Sequence, residues 1–457
     1  DLMPLILPGN VASATASTGY NIDNSCRFND NDTAYMHKTF GAGGATKKWT
    51  FSTWFKRGNL GISNPQNLFG GEDSASRYTD IMVGTPSGAD DTLWWKQDTG
   101  TVAELRTTQK LRDPAAWYHI VFAYDSAQAT ASDRNKMYLN GVRITDFVTE
   151  TNVAQDVDSY VCSDGDKAYV GTYDAGSKWL DGYMAETILI DNQALTPTSF
   201  GEFNEDSPTI WQPIDISGLS VGSQGFYLDF KDSANLGNDA SGGTDFTEVN
   251  LDATDQATDT PTNNFCTMNP LTGSAVTYTE GNCVTDFAGM NNWKNGALAT
   301  MGVSAGKWYW EAKIITGTTT NGTGVIRDTD TNYASGRSEV AIYNQNINAI
   351  QADRYIYKQD DANDSSTFTA FADDEIISIA LDMDNKKMWF AKDGDFAADS
   401  STGDPAAGSN EHVDSSNFTA GAHYIPFNFG NDVGANPVLA MNFGGCPGFA
   451  ISSGNTD

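Results

Sequence analysis

Carboxylates are the reactive groups this sequence holds in excess: 59 Asp and Glu stand against 27 Lys and Arg, and only 12 of the acids are Glu. Paired carboxyls can hydrolyse a glycosidic bond, one as acid and one as nucleophile or base, when alternate positions of a strand set them on one face. A Glu-x-Asp-x-x-Glu strand achieves this, but here no Glu has an Asp two residues on. A serine nucleophile is the next option, since GLSVG (218–222) and GVSAG (302–306) fit Gly-x-Ser-x-Gly. A nucleophile elbow needs a strand before the serine and a helix after it. GVSAG runs straight into KWYWEAKI, and GLSVG into another turn and GFYLDF, so Ser220 and Ser304 read as turn residues. No catalytic residue is assigned.

Binding chemistry is better represented. In RDTDTNYASGRSE (327–339), Asp328, Asp330, Asn332 and Glu339 fall at the first, third, fifth and twelfth places of a calcium loop. Tyr333 stands where an EF-hand requires glycine, and the flanks read as strands, which excludes a true EF-hand. A calcium-stabilised loop with those four oxygen ligands is the candidate, against a solvated acidic loop. Four scattered histidines and five cysteines without a Cys-x-x-Cys pair leave little for zinc or a disulfide scaffold. Aromatic rings can stack on the apolar faces of sugars while Asp and Asn bind hydroxyls. Trp94 and Trp95 are adjacent, so on a strand one of them points outward. Trp179 follows the loop YDAGSK beside Tyr173 and Asp174. Those five residues are the ligand candidates, whereas Trp49, Trp117, Trp308, Trp310 and Trp389 sit inside strand patterns and read as core.

The elements that must position these residues are strands. WTFSTWFKRG (49–58) alternates Trp49, Phe51 and, after a shift, Trp54 with small or polar residues, and WYHIVFAYD (117–125) alternates Trp117, His119, Val121 and Ala123. Asn140-Gly141 inside NKMYLNGVRI marks a tight hairpin. KAYVGTY and WLDGYMAETILIDNQAL supply further strands. Residues 201–290 are rich in Asp, Asn, Gly, Ser and Thr and read as a connector with short strands, GFYLDF among them. From about 291 the pattern resumes with GKWYWEAKI, EIISIALDMDNKKMWFAKDGDF and AHYIPFNFG. An all-β chain of two antiparallel jelly-roll or β-sandwich domains is expected. The formal net charge of −32 repels phosphate backbones and anionic lipid, which argues against nucleic acid and membrane surfaces as partners. No apolar run approaches bilayer-spanning length, so no membrane insertion is expected. The opening DLMPLILPGN is broken by Pro4 and Pro8 and lacks a basic flank, so it does not read as a signal peptide.

SCRFNDNDTAYM, WTFSTWFKR, WYHIVFAYD, KMYLNGVRI, YVGTY and LDGYMAETILIDNQAL, in that order, resemble a laminin-G-like, concanavalin A-type domain over residues 20–200. GKWYWEAKI, IISIALDMDNKKMWFAKDG and YIPFNFG resemble a SPRY domain over 291–457. Together with the connector ending PTNNFCTMNPL, the chain resembles virion appendage proteins of tailed phages. That resemblance implies a non-enzymatic fibre or decoration on the virion surface, assembled in the host cytoplasm and often trimeric. Residues 1–19 would dock it on other virion proteins, and its loops would present sites to host glycans or protein. It also implies calcium near Asp30, Asp32 and Glu186, although Ala185 replaces an expected acid. The alternatives are a purely structural appendage and a secreted marine bacterial polysaccharide-active protein.

Overall fold

The computed structural model describes residues 19–449 apart from 62–63, 75–76, 86–87, 175, 274–275, 290–294, 318–320, 329–346, 354, 360, 366–368, 398–402, 432–435 and 446–447. The docking segment expected at 1–19 therefore lies outside the described residues, save Gly19. Two compact units divide at Asn264/Phe265. Among the described residues the only helical pieces are short 3-10 turns.

In the first unit, one sheet runs in spatial order β10 (Val142–Arg143), β9 (Asn135–Leu139), β8 (Trp117–Asp125), β3 (Lys48–Arg57), β13 (Gly182–Asp191), β1 (Ser25–Phe28) and β18 (Gln256–Ala257), with β16 (Phe226–Leu228) also paired to β13. The other runs β11 (Phe147–Thr151), β7 (Val102–Lys110), β6 (Gly88–Asp98), β5 (Arg77–Thr85), β4 (Gln66–Ser74), β12 (Lys167–Val170), β2 (Tyr35–Thr39) and β17 (Thr247–Val249). The pairs are antiparallel. β14 (Gly201–Phe203) and β15 (Trp211–Pro213) form a separate hairpin. Rings fill the space between the two large sheets: Phe51 stacks on Phe69 of the other sheet at 4.5 Å, and Trp49 stacks on its cross-strand partner Tyr124 at 5.3 Å. Each such pair adds about 1 kcal/mol beyond the area it buries. The Asn140-Gly141 hairpin forms as expected, both residues having positive φ.

One expectation about register fails. β3 pairs with β8 without a break from Lys48 to Lys56, so β3 itself does not shift before Trp54; the irregularity at that level lies on its other side, in β13 between Ala185 and Ile188. Trp49, Phe51 and Phe55 face the core between the sheets, while Ser52, Trp54 and Lys56 share the outer face with Trp117, His119 and Val121. That outer face is apolar too, and a sheet with two apolar faces needs a second cover. Residues 201–264, expected as connector, provide it. Phe200, Ile216 and Tyr227 pack on Val121, Ala123, Ile188 and Ile190, and β16, β17 and β18 extend the large sheets. The cover is fastened by charge: buried Lys56 donates to Asp259 Oδ2 at 2.7 Å and Asn264 Oδ1 at 2.9 Å, and Trp117 Nε1 donates to Asp259 Oδ1 at 2.9 Å.

The second unit is also a two-sheet antiparallel sandwich. One sheet runs β19 (Thr277–Thr279), β20 (Val284–Asp286), β30 (Val438–Asn442), β22 (Lys307–Thr316), β27 (Ile376–Asp382) and β28 (Lys387–Lys392). The other runs β21 (Asn295–Leu298), β29 (Tyr424–Gly430), β23 (Asn321–Arg327), β24 (Ile347–Gln351), β25 (Tyr355–Lys358) and β26 (Asp361–Ser365). Their core joins Trp310, Ile377 and Met388 to Val325, Ile350, Phe427 and Phe429. A turn through Asp384 and Asn385 joins β27 to β28, with Asn385 N donating to Asp382 Oδ1 at 2.9 Å.

Candidate functional site

Directly opposed residues of antiparallel strands point to the same face, so the register of the second sheet lays out its outer surface. One row reads His37, Tyr169, Gly70, Asp80, Lys96, Glu104 across β2, β12, β4, β5, β6 and β7. Flanking rows add Lys167, Glu72 and Tyr78 on one side, and Met82, Trp94 and Arg106 on the other. Alternate residues Ile81, Val83, Leu93 and Trp95 turn into the core. The half-buried rings of Tyr35 and His37 form a triangle with Tyr169, at centroid separations of 5.9, 6.3 and 6.0 Å.

Above Asp80 the loop from β12 to β13 folds back onto the sheet. Asn67 N donates to Lys178 O at 2.9 Å, and Asn67 Nδ2 to Thr172 O at 2.6 Å. This sets Tyr173 edge-on to Tyr78 at 5.0 Å and places Lys178 Nζ 3.6 Å from the Tyr173 ring centre. Lys96 Nζ lies 5.5 Å from the Tyr78 ring and 5.7 Å from that of Trp94. Asp80 is wholly buried, and neither of its carboxyl oxygens has a hydrogen-bond partner. It leans across Gly70, where any side chain would collide with it. Burial pushes its pKa well above the usual carboxylate range, opposed by the Lys178 charge and reinforced by Glu72. Burial raises Glu72 to about 7 and lowers Lys178.

The expected ligand residues separate accordingly. Trp94, Tyr173 and Asp174 come together around Tyr78, Lys96 and Lys178, though the first two rings are largely covered, each being 6% exposed. Asp174 shapes the loop, accepting from Gly176 N at 3.0 Å and Ser177 Oγ at 3.2 Å. Trp179 is half-buried next to Lys178. Trp95 is a correction: strand alternation turns it inward, where it stacks on Phe122 at 5.2 Å and is unavailable to a ligand. Tyr35, His37, Tyr78, Lys96, Tyr169 and Lys178 were not singled out. Their signal was present in Tyr35-x-His37, Tyr78-x-Asp80, Trp94-x-Lys96 and Lys167-x-Tyr169, each joining a ring to a polar group at strand period.

The outer face of the first sheet gathers a different set under its cover. His119 lies between Trp54 at 4.6 Å and Trp211 at 5.9 Å. Ser52 Oγ and His119 Nε2 are 2.9 Å apart, the geometry of a nucleophile and its base. However, Trp211 Nε1 can only donate, and it does so to His119 Nδ1 at 2.9 Å. The ring proton must then sit on Nε2 and be donated to Ser52, which leaves no lone pair to activate the hydroxyl. Burial lowers His119 to about 3, so the ring stays neutral. Glu186 accepts from Tyr20 at 3.1 Å and Tyr227 at 2.7 Å, and burial raises it to about 7.

Of the calcium candidates, Asp330, Asn332 and Glu339 lie outside the described residues. Asp328 contacts His423 Nδ1 at 3.1 Å. Asp30, Asp32 and Glu186 are hydrogen-bonded to separate partners, Asn59, Asn29 and the two tyrosines respectively. Among the described residues no group of three or more His, Cys, Asp or Glu side chains is arranged to hold a metal, and no helix is long and apolar enough to cross a membrane.

A sandwich of two large antiparallel sheets with a ring-bearing outer face is the class this geometry defines. A family model described as the concanavalin A-like lectin/glucanases superfamily matches residues 29–199, so the first unit contains a concanavalin A-like domain. No curated protein matches the chain. Among solved structures, a SAP-like pentraxin from Limulus polyphemus is similar at 17% identity and a TM-score of 0.29, over 39% of this chain and 80% of that one. The SPRY domain of human HERC1 is similar at 15% identity and a TM-score of 0.30, over 40% of this chain and 99% of that one. Domain 4 of AbnA, an extracellular arabinanase from Geobacillus stearothermophilus crystallised with arabinotriose, is similar at 18% identity and a TM-score of 0.26, over 35% of this chain and 68% of that one.

Proposed function

We propose that this chain is a non-enzymatic surface protein of a tailed-phage virion, a fibre, appendage or decoration, that attaches weakly and multivalently to host glycans. The observation that carries the glycan part is the pair of half-buried rings, Tyr35 and His37, at one end of the outer face of the second sheet, with exposed Lys167 and half-buried Lys96 on the same face. Rings of this kind take the apolar faces of sugars, and flanking charges take their substituents. Support for the absence of catalysis comes from the missing Glu-x-Asp-x-x-Glu strand, from the Nε2 proton of His119, and from the complete burial of Asp80. The virion assignment rests on the resemblance of the two domains and their order. In this reading residues 1–19 hold the protein to other virion proteins, and a homo-oligomer, a trimer in the simplest fibre, turns millimolar single-site binding into useful avidity.

The test is adsorption. The purified chain should compete with particles for host cells, and Tyr35→Ala/His37→Ala should abolish competition while melting like the parent. Equal competition by that variant would remove the sheet face from the account, and release of reducing sugar from any bound polysaccharide would overturn the non-enzymatic assignment. Labelled antibody that fails to decorate virions would overturn the location.

A further inference from the structure

The cations of this face are distributed unlike those of the chain as a whole. Acids outnumber bases more than two to one in the sequence, yet Lys96, Lys167, Lys178 and Arg106 converge on one sheet surface and its covering loop. Three of the four are held against rings: Lys178 over Tyr173 at 3.6 Å, Lys96 over Tyr78 at 5.5 Å, and exposed Lys167 over Tyr169 at 5.9 Å. Among the described residues none of these three ammonium groups has a carboxylate within ion-pair distance. Most nearby acids are otherwise engaged or buried, half-buried Glu104 excepted. Asp174 is tied into its own loop, Asp80 is sealed beneath Lys178 with both oxygens unpartnered, and Glu72 is buried beside Tyr78. Glu104 and Asp98 stand opposite Lys96 and Tyr78 without bridging to them.

A cation resting on a ring face is partly stripped of water, and it gains more from an arriving anion than a fully hydrated one does. The lysines also bracket the platform, with Lys167 beside Tyr169, and Lys96 and Lys178 beyond Gly70. From β2 to β6 the face spans four strand spacings, about 19 Å. That length suits several linked sugars better than one.

Resting on the glycan reading above, we propose that this face takes an acidic polysaccharide. Its sugar rings lie on the half-buried rings of Tyr35 and His37, which Tyr169 backs from beneath, and its carboxylate or sulfate groups go to Lys167, Lys96 and Lys178. The shared chemistry is an anionic substituent on a pyranose chain, and the experiment separates the two sources of the anion.

The full chain is titrated with polygalacturonate, carrageenan, laminarin and dextran, with polyaspartate as a polyanion lacking sugar rings. One or both acidic polysaccharides should bind, uronate and sulfate being told apart by which is retained. Their affinity should fall at least about tenfold between about 50 and about 300 mM salt, because the contacts are partly exposed charges. Lys96→Gln/Lys178→Gln should lose a similar factor, and Lys178→Arg should restore it. Should the double variant fold poorly, Lys167→Gln at its exposed site and the salt series on the parent still decide. Laminarin or dextran binding as tightly as the acidic polymers would overturn the charge selection and leave the glycan reading standing. Polyaspartate binding equally would overturn the role of the rings. No binding to any polysaccharide would overturn both.

Discussion

The two outer faces of the first sandwich carry similar side chains and meet opposite fates. On the first sheet, Trp54, His119, Glu186 and Lys56 are covered by residues 200–264, and each finds a protein partner: Trp211, Ser52, Tyr20, Tyr227 or Asp259. On the second sheet, Tyr35, His37 and Lys96 stay partly open, while the loop carrying Lys178 folds over buried Asp80, whose carboxyl oxygens have no hydrogen-bond partner. Residue type therefore does not decide whether a ring and a charge stabilise the fold or recognise a ligand. What decides is whether the chain supplies a second layer. Covered polar groups must be satisfied internally because water is excluded, whereas uncovered ones keep bonding capacity for a visitor.

The comparison breaks most severely at the fastening of the cover. Lys56→Met leaves Asp259 buried and uncompensated, so a loss of about 3–5 kcal/mol is expected, read as a fall in denaturant midpoint, with the polysaccharide affinity of the surviving folded fraction unchanged. Next comes Glu186. Between about pH 4.5 and about 7 the folded chain keeps a proton that the unfolded chain has released, so stability should decline as pH rises through that window. The decline is on the order of 3 kcal/mol at 1.36 kcal/mol per unit, and Glu186→Gln should flatten the melting-temperature profile by that share. A profile unchanged by the substitution would mean that the carboxyl is not the buried proton acceptor.

Ser52→Ala sharpens the proton assignment on His119. Removing the acceptor strands a buried N–H at a cost of about 1–3 kcal/mol, and nitrogen chemical shifts should report a proton on Nε2 in the parent. A proton found on Nδ1 would reopen the dyad. The smallest effect on stability is expected on the uncovered face. Tyr35→Ala is half-buried and should cost no more than about 1 kcal/mol while removing glycan retention, the reverse of the pattern at Lys56.

Much of this architecture was readable beforehand. The period-2 runs in β3, β8, β22 and β27 and the Asn140-Gly141 turn follow from strand pleating and from the φ values a tight hairpin imposes. The register of Trp54 was not readable, because a strand with apolar residues on both faces admits either alignment until the partner strand and the second cover are known. Polar composition hid the role of residues 201–264. Sparse apolar anchors such as Phe200, Ile216, Phe226 and Phe246 bind them to the sandwich, and a few large side chains among many turn residues read as linker.

The candidate site divides the same way. That one of Trp94 and Trp95 must point outward follows from adjacency alone, since successive side chains on a strand leave opposite faces. Which one does so depends on which face meets the other sheet, and burial of Trp95 against Phe122 settles it. Tyr35, Gly70, Asp80 and Tyr169 are scattered over more than a hundred residues, and their neighbourhood exists only through the hydrogen-bonded order of β2, β12, β4 and β5. Local sequence sets the alternation of side chains because pleating is local. The surface they share is set by strand pairing, which is not.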